Sequence, residues 1–400
     1  MNIPYMRKID YFLGIPVCLL FGTLHRIKLL FFQKQKTSLN PNKILFIKLF
    51  GIGSIVLSLP AIQKARLKYP DAELYFLTFK GNDSVLILTD MIRKENILLI
   101  DTANFFSFFA TTIACILSRF RLKFDFTIDL EFFSRFTAIL SFLIGSKNRA
   151  GFYNHHTEGL YRGNFLTHKI YYNHYQHTSL AYLDLVDVIE KGDRFPYNKI
   201  SENRLPILKA INIEYGKGKA MIPEVLRKFG LAEKNPLILL NPNSSDLIEL
   251  RKWPRENFSI LAKSILKRNS KIRIGIIGSG SERIYSESLE KSIGDERVIS
   301  LAGKTSIQEL LILFQAARAF VTNDSGPAHL AALTPVQIIC LFGPETPELY
   351  RPLSENSHNI YLGLGCSPCV TIYNGKHTEC RDNQCMKQIP VGEIMKLMKI

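Results

Sequence analysis

Four hundred residues with 46% hydrophobic content exclude a disordered or collagen-like chain and supply enough apolar surface for two domains of ordinary size. The formal net charge of +16 is large, yet Lys and Arg are spread along the chain with no nucleic-acid-binding module or aromatic-basic stacking motif, which excludes nucleic acid as the expected partner. An anionic surface or substrate fits better, with membrane headgroups, nucleotide diphosphates and phosphorylated glycans all qualifying.

The first forty residues form a separable segment. Residues 11 to 24 are uncharged and mostly apolar, with Arg7 and Lys8 before them and His25, Arg26 and Lys28 after. The run is short against the roughly 20 apolar residues of a spanning helix, and Pro16 interrupts it. No small-x-small cleavage site follows cleanly, and a second basic-apolar stretch runs from Leu29 through Phe32 to Lys34 and Lys36. The pattern predicts a helix lying in a membrane interface, with a spanning anchor and a buried core helix as the alternatives.

From Lys43 onward, apolar β-rich runs alternate with helical patterns. Strands are expected at 43–49, 73–78, 97–100, 125–129, 237–241, 272–277, 297–300, 318–322 and 336–342, and helices at 55–68, 108–119, 256–268 and 306–316. Such alternation predicts an α/β fold of parallel sheets covered by helices on both faces. The stretch 190–235 is rich in Lys, Pro, Asn and Gly and breaks the pattern. The expected organisation is therefore an N-terminal segment at 1–40, one domain at 41–195, a linker at 196–235 and a second domain at 236–400.

Strand, Gly turn and helix occur together twice. The strand-like run Lys43 to Phe50 leads into Gly51-Ile52-Gly53-Ser54 and then a helical pattern through Ile55, Leu57, Leu59, Ile62 and Ala65. This turn lacks the third Gly of a dinucleotide fingerprint and the Gly-Lys-Ser/Thr ending of a phosphate loop. Near the other end, the run Ala319 to Val321 precedes Asp324-Ser325-Gly326, and Pro327 suits the first turn of a helix carrying His329. Unpaired N–H groups at such a helix start accept phosphate; the alternative is an ordinary N-cap.

Seven cysteines are present, four of them late: Cys366, Cys369, Cys380 and Cys385. A CxxC followed by a second pair suits a structural Zn or Fe held by thiolates, although the second spacing is looser than in a zinc ribbon. Free thiols or a redox pair in a reducing cytoplasm is the competing reading.

Taken as an ordered set, several segments resemble glycosyltransferase family 9, the family of ADP-heptose-dependent lipopolysaccharide heptosyltransferases. They are Gly51-Ile-Gly53-Ser54 through Pro60-Ala-Ile, Tyr69-Pro-Asp-Ala72, Arg251-Lys-Trp-Pro254, Gly278-Ser-Gly-Ser-Glu282, Leu301-Ala-Gly-Lys-Thr305, Asp324-Ser-Gly-Pro-Ala-His329, Leu341-Phe-Gly-Pro344, and Cys366-Ser-Pro-Cys369 with Cys385-Met386. The resemblance spans roughly residues 43 to 390. It implies a GT-B architecture of two Rossmann-like domains facing across a cleft, with the nucleotide-sugar donor, ADP-heptose or similar, on the C-terminal domain. A lipid-linked glycan acceptor is expected on the N-terminal one, at the cytoplasmic face of a bacterial inner membrane. No metal is required for sugar transfer in such a family.

The resemblance assigns donor binding to Ser244, Ser245, Arg251, Lys252, Glu282, Asp324, Ser325, Gly326 and His329, and the acceptor side to Gly51 and Gly53. Arg251 stands where Lys is common, with Lys252 beside it; a planar guanidinium can bind a phosphate bidentately, so the charge role survives. Glu282 is expected to accept from ribose hydroxyls or to be a solvated carboxylate at a helix start, and Asp324 to accept from sugar hydroxyls. One departure is consequential: heptosyltransferases carry Asp as general base directly after the second Gly of the first turn, and this chain has Ser54. A hydroxyl cannot take up a proton near neutral pH as a carboxylate can. The expected substitutes are Glu131 first and Asp129 second, at the end of the strand before Phe132, with Glu131 alternatively a structural partner of Arg135. His155, His156, Glu158 and His177 form a further polar cluster. A hexosyltransferase using another nucleotide sugar, and an inactive membrane-tethered glycan-binding protein, are the alternative functions.

Overall fold

A computed structural model describes residues 3–31, 40–153, 161–191, 205–208, 215–244 and 248–398. They fall into two compact units, 1–206 and 207–400.

The first unit opens with helices α1 (Ile3–Phe12) and α2 (Gly14–Phe31), followed by β1 (Lys43–Ile47), α3 (Ile52–Lys68), β2 (Glu73–Phe79), α4 (Asp83–Leu88) and β3 (Ile97–Ile100). It continues with α5 (Phe105–Leu117), α6 (Arg119–Leu122), β4 (Phe126–Asp129), α7 (Arg135–Leu143), β5 (Asn148–Tyr153), β6 (His168–Tyr171) and α8 (Thr178–Lys191). The strands form one parallel sheet in the order β3-β2-β1-β4-β5-β6. Its central strands are apolar on both faces: all but the first residue of β1 are buried, as expected of a sheet covered on two sides. Strand order reverses between β1 and β4, which run in register with Ile47 opposite Asp129. The chain therefore leaves both strands at one carboxyl edge, the position where ligands bind in open α/β sheets.

The second unit repeats the plan. It contains α9 (Tyr215–Lys228), β7 (Leu237–Asn241), α10 (Arg255–Arg268), β8 (Arg273–Ile276), α11 (Arg283–Ile293), β9 (Val298–Ser300), α12 (Ile307–Ala316) and β10 (Ala317–Asn323). Then come α13 (Gly326–Ala331), β11 (Gln337–Phe342), α14 (Pro347–Tyr350), β12 (Ser357–Tyr361), α15 (Gln384–Lys387) and α16 (Val391–Leu397). The parallel sheet runs β12-β11-β10-β7-β8-β9, again with a switch point, here between β7 and β10. Helix α10 buries Phe258, Leu261, Ala262, Ile265 and Leu266, an i, i+3, i+4, i+7, i+8 stripe. Ser306 and Glu309 close α12 with reciprocal side-chain to backbone bonds of 3.2 and 2.8 Å.

All nine expected strands and all four expected helices are present to within a few residues. Three strands were illegible. β5 begins with the polar pair Asn148 and Arg149, both buried, and Arg149 is accommodated by donating to the Phe165 and Ser146 carbonyls at 2.7–2.9 Å. β6 has four residues and β12 is half-buried throughout. Within the stretch read as linker, Tyr215–Lys228 is helical.

Helices α1 and α2 pack on α7. Asp10 accepts from the Phe136 N–H at 2.7 Å and pairs with Arg135 at 3.3 Å, at the N-terminus of α7. Phe21 stacks on Phe142 at 5.3 Å and Cys18 is fully buried with Ala138 and Phe165. Other side chains of these helices face solvent, including Tyr11, Phe12, Leu20, Leu24 and Leu30, as does Leu13 between them.

Candidate active site

In the first unit, Gly51 caps α3 with φ +81°, a conformation L side chains rarely adopt. Gly53 is buried and Ser54 half-buried in the first turn of α3, with the Ser54 N–H bonded to the Gly51 carbonyl at 3.0 Å. The segment feeding this turn is held by Glu131. Its Oε1 accepts from the Leu49 and Phe50 N–H groups, each at 2.8 Å, and its Oε2 lies 2.8 Å from Lys48 Nζ. Lys48, not Arg135, is thus the ion-pair partner of Glu131, because Arg135 is drawn to Asp10 on α1. Asp129 is fully buried, pairs with Arg162 and accepts from the Glu131 N–H at 3.0 Å. Burial raises its pKa while Arg162 opposes the rise. Both carboxylates stand at the carboxyl edge, as strand direction requires, and both are engaged by donors.

His155, His156 and Glu158 lie outside the described residues. His177 is buried and its Nδ1 accepts from the Ser179 N–H at 3.2 Å.

In the second unit a polar network fills the switch point. Asn241, the last residue of β7, donates to Thr322 Oγ1 and Ser325 Oγ, both at 3.0 Å. Asn323 accepts from the Trp253 N–H at 3.0 Å and donates to the Pro242 and Asn243 carbonyls. Asn383 donates to the carbonyls of Leu250 and Lys252, at 2.9 and 3.0 Å. The loop carrying Arg251 is therefore pinned from both sides, and fully buried Trp253 anchors it by donating Nε1–H to the Ile389 carbonyl at 3.0 Å.

Arg251 lies 2.5 Å from Glu345 and 3.7 Å from Asp324, and Lys376 lies 2.9 Å from the other Glu345 oxygen. Two buried carboxylates and two cations thus meet beside Ser325. Burial lifts the Asp324 carboxyl to about 7; Arg251 pulls the other way and neighbouring Glu345 pushes it further up. Burial acts in the same sense on Glu345, but Lys376 and Arg251 outweigh it and hold this carboxyl at about 2. The pair therefore shares its protons unequally, with Asp324 the more basic member. His329 is brought down to about 4 by burial and by Arg251, and its buried Nδ1 has no hydrogen-bond partner among the described residues.

The remaining expected donor residues are dispersed. Ser244 Oγ donates to the Ile248 carbonyl at 3.2 Å, while Ser245 lies outside the described residues. Lys252 pairs with Glu249 at 3.5 Å and lies over the Tyr285 ring. Glu282 closes a capping box with Ser279, accepting from its N–H at 2.7 Å and its hydroxyl at 2.8 Å. Gly278 sits where a Cβ would fall 2.6 Å from Asn243 Nδ2, so the turn before Glu282 packs directly on the network.

The four late cysteines are all free: Cys366 and Cys380 exposed, Cys369 intermediate, Cys385 buried. Among the described residues no group of three or more His, Cys, Asp or Glu side chains is arranged to hold a metal ion. The expectation of a structural Zn or Fe is thus unsupported by this geometry. Cys385 is buried and its thiol is pushed up to about 11 by burial and by neighbouring Cys369, Cys366 and Cys380, and Cys380 Sγ turns to the Asp382 carbonyl at 3.3 Å.

Residues 119–377 match the family model described as glycosyltransferase family 9 (heptosyltransferase). The chain belongs to glycosyltransferase family 9. Among curated proteins, this family 9 glycosyltransferase is 25% identical to lipopolysaccharide heptosyltransferase 1 of Campylobacter coli over 361 residues, 89% of this chain and 98% of the relative. It is 30% identical to lipopolysaccharide heptosyltransferase 2 of Salmonella typhimurium over 140 residues, 34% of this chain and only 39% of that relative's length. The solved structure of the E. coli ADP-heptose lipopolysaccharide heptosyltransferase II shares the fold, with a TM-score of 0.65 over 89% of this chain and 97% of that one, at 19% identity.

Several residues of this glycosyltransferase escaped sequence reasoning. Asn241, Thr322, Asn323 and Asn383 had no motif to mark them, although the unbroken polar run Thr322 to Ser325 after an apolar strand was a usable signal. Glu345 directly follows Gly343-Pro344. A carboxylate at a strand's carboxyl end, on the edge that already carries Asp324, could have been found from strand order alone.

Proposed function

We propose that this protein is an inverting heptosyltransferase that moves heptose from ADP-heptose to a lipid-linked lipopolysaccharide-type acceptor at the cytoplasmic face of the inner membrane. The supporting observation is Arg251, 14% exposed and held between Glu345 and Asp324, the residue directly before Ser325. A guanidinium fixed this way offers parallel N–H donors to a diphosphate. The leaving diphosphate gains charge as the glycosidic bond breaks, and preorganised donors stabilise that charge without reorganising. Arg251, Ser325 and the Gly326 N–H take this role, with no metal needed for the transfer. Asp324 accepts from a sugar hydroxyl.

Inversion requires one displacement. The acceptor oxygen forms its bond to the anomeric carbon, the diphosphate departs with the electron pair of the broken bond, and a base takes the acceptor proton. In the absence of Asp at position 54 we assign that base to Glu131, with Asp129 behind it as the positioning carboxylate. Ser54, Gly51 and Gly53 line the acceptor side. Helices α1 and α2 are read as a peripheral membrane attachment, since they carry exposed apolar side chains beside basic residues.

Calorimetric titration with ADP-, GDP- and UDP-sugars tests the donor assignment. Binding of ADP-heptose with transfer to a heptose-deficient lipopolysaccharide core is the expected result. Selective binding of a UDP- or GDP-hexose would replace the reading with a hexosyltransferase, and donor binding without transfer to any acceptor would leave a glycan-binding protein.

A further inference from the structure

The crossover from β3 to β4 carries an unusually apolar surface. In α5 and α6, Phe105, Phe106, Phe109, Ile113, Leu117 and Phe120 are exposed, Phe106 to 86%. The last five recur at intervals of three or four residues, which lines them along one face. The opposite face is spent on the core: Thr112 and Cys115 are buried, and Phe108 and Ile116 pack against the cluster of Leu77, Phe79 and Leu140. A contiguous apolar face of this size on a soluble surface marks an interaction site.

Residues Phe105–Leu122 are long and apolar enough, by composition, to cross a membrane. The fold argues against crossing. Both flanking strands belong to one sheet, α5 gives way to α6 at Ser118, and the inner face is already packed. A helix that is half core and half exposed lies along a surface rather than through it.

Charge and neighbourhood identify the occupant. Arg119, Arg121 and Lys123 are exposed at the far end of the stripe, with Arg119 stacked on Phe120 at 4.8 Å. Exposed aromatics next to basic side chains complement an anionic lipid surface. The α1 helix shares this side of the unit, because Met6 packs against the same core cluster as Phe108 and Phe136. Arg119 also donates to the Leu143 carbonyl at 3.0 Å, which ties α6 to α7, the helix on which α2 rests. A chain of ring contacts, Phe50 to Phe79 at 5.0 Å and Phe79 to Phe108 at 6.5 Å, connects the residue before Gly51 to α5.

We propose that α5 and α6 form a second membrane-docking face, which lies flat on the anionic bilayer surface and brings the carboxyl edge of the first sheet to the lipid. It shares the membrane setting of the proposed function but rests on different residues, and its test needs neither sugar donor nor acceptor. Full-length protein carrying Phe106→Trp is mixed with vesicles of phosphatidylglycerol and phosphatidylethanolamine, and separately with phosphatidylcholine alone. Trp253 is fully buried and supplies a constant background.

The expected result is a blue shift on anionic vesicles only, lost at high salt, with lipid-borne bromine quenching Phe106→Trp and Phe120→Trp at the same shallow depth. Phe106→Ser/Phe109→Ser/Phe120→Ser should weaken cosedimentation at least about tenfold, and Arg121→Glu/Lys123→Glu should do so too, since each basic residue near a charged bilayer contributes about fivefold. A set at α2, Leu20→Ser/Leu24→Ser, separates the two elements. If only that set weakens binding and neither Trp shifts, the proposal is overturned while attachment by α2 stands. Quenching at very different depths would show a spanning helix, and a dimer that dissociates in the triple Ser variant without lipid would show a self-association face; either outcome overturns it.

Discussion

Lys48 and Glu131 meet at 2.8 Å just beyond the carboxyl ends of adjacent strands β1 and β4, with both side chains more than nine-tenths buried. The carboxylate also accepts the N–H groups of Leu49 and Phe50, so one side chain fixes the approach to the Gly51 turn. Removing one partner of a buried ion pair costs about 3–5 kcal/mol, which makes Glu131→Gln both a stability and an activity variant. We expect a lower urea midpoint and a turnover loss of about 10²–10⁴-fold, the range of a general base. Pairing it with Lys48→Met separates the effects: stability should return in Lys48→Met/Glu131→Gln while turnover stays low. Recovery of both would show that Glu131 only braces the turn.

Arg251 should carry donor affinity. Arg251→Ala is expected to weaken ADP binding at least about tenfold, and Arg251→Lys to fall between, because an ammonium keeps the charge but loses the planar fork. Glu131→Gln should leave ADP affinity nearly unchanged. Calorimetry on the three variants checks this, and equal ADP affinity in Arg251→Ala and the parent would sink the donor assignment.

Two buried groups of the proposed donor site make opposite contributions to the pH dependence of stability. Asp324 is raised to about 7, so the native state holds its proton where the unfolded state has lost it. Its contribution is full below about 4, the unfolded carboxylate range, and fades as pH rises to 7. His329 is lowered to about 4, so its neutral form is favoured in the native state and stability falls as pH drops from about 6.5 to 4. We expect Asp324→Asn to steepen the rise in urea midpoint between pH 4 and 7, and His329→Gln to flatten it. Unchanged slopes in both variants would contradict these shifts.

Thiol reactivity should divide the cysteines by burial. Cys366 and Cys380, exposed, with Cys369 behind them, are expected to react with a disulfide reagent in the native protein, whereas Cys18, Cys115 and Cys340 wait for denaturation. Burial also pushes the Cys18 and Cys115 thiols up to about 11, which keeps them protonated and unreactive at pH 8. Slow native reaction of the late cysteines, accelerated by a chelator, would reveal a bound metal.

The sequence by itself determined the fold. Apolar runs such as Lys43–Ile47 and Leu237–Asn241, separated by helical stripes, admit little besides two parallel sheets, because each residue's neighbours along the chain already fix the period. The turns at Gly51 and Asp324, and the family, were legible for the same local reason. Tertiary structure decided which charges meet. Glu131 finds Lys48, Arg135 finds Asp10, and Arg251 finds Glu345, 94 positions away (251 to 345). No local pattern encodes such pairings; they follow from strand order and from the cost of burying a charge without a partner. The same holds for α5, an expected helix whose Phe and Ile side chains divide into two faces only because the sheet supplies apolar neighbours for one and leaves the other exposed.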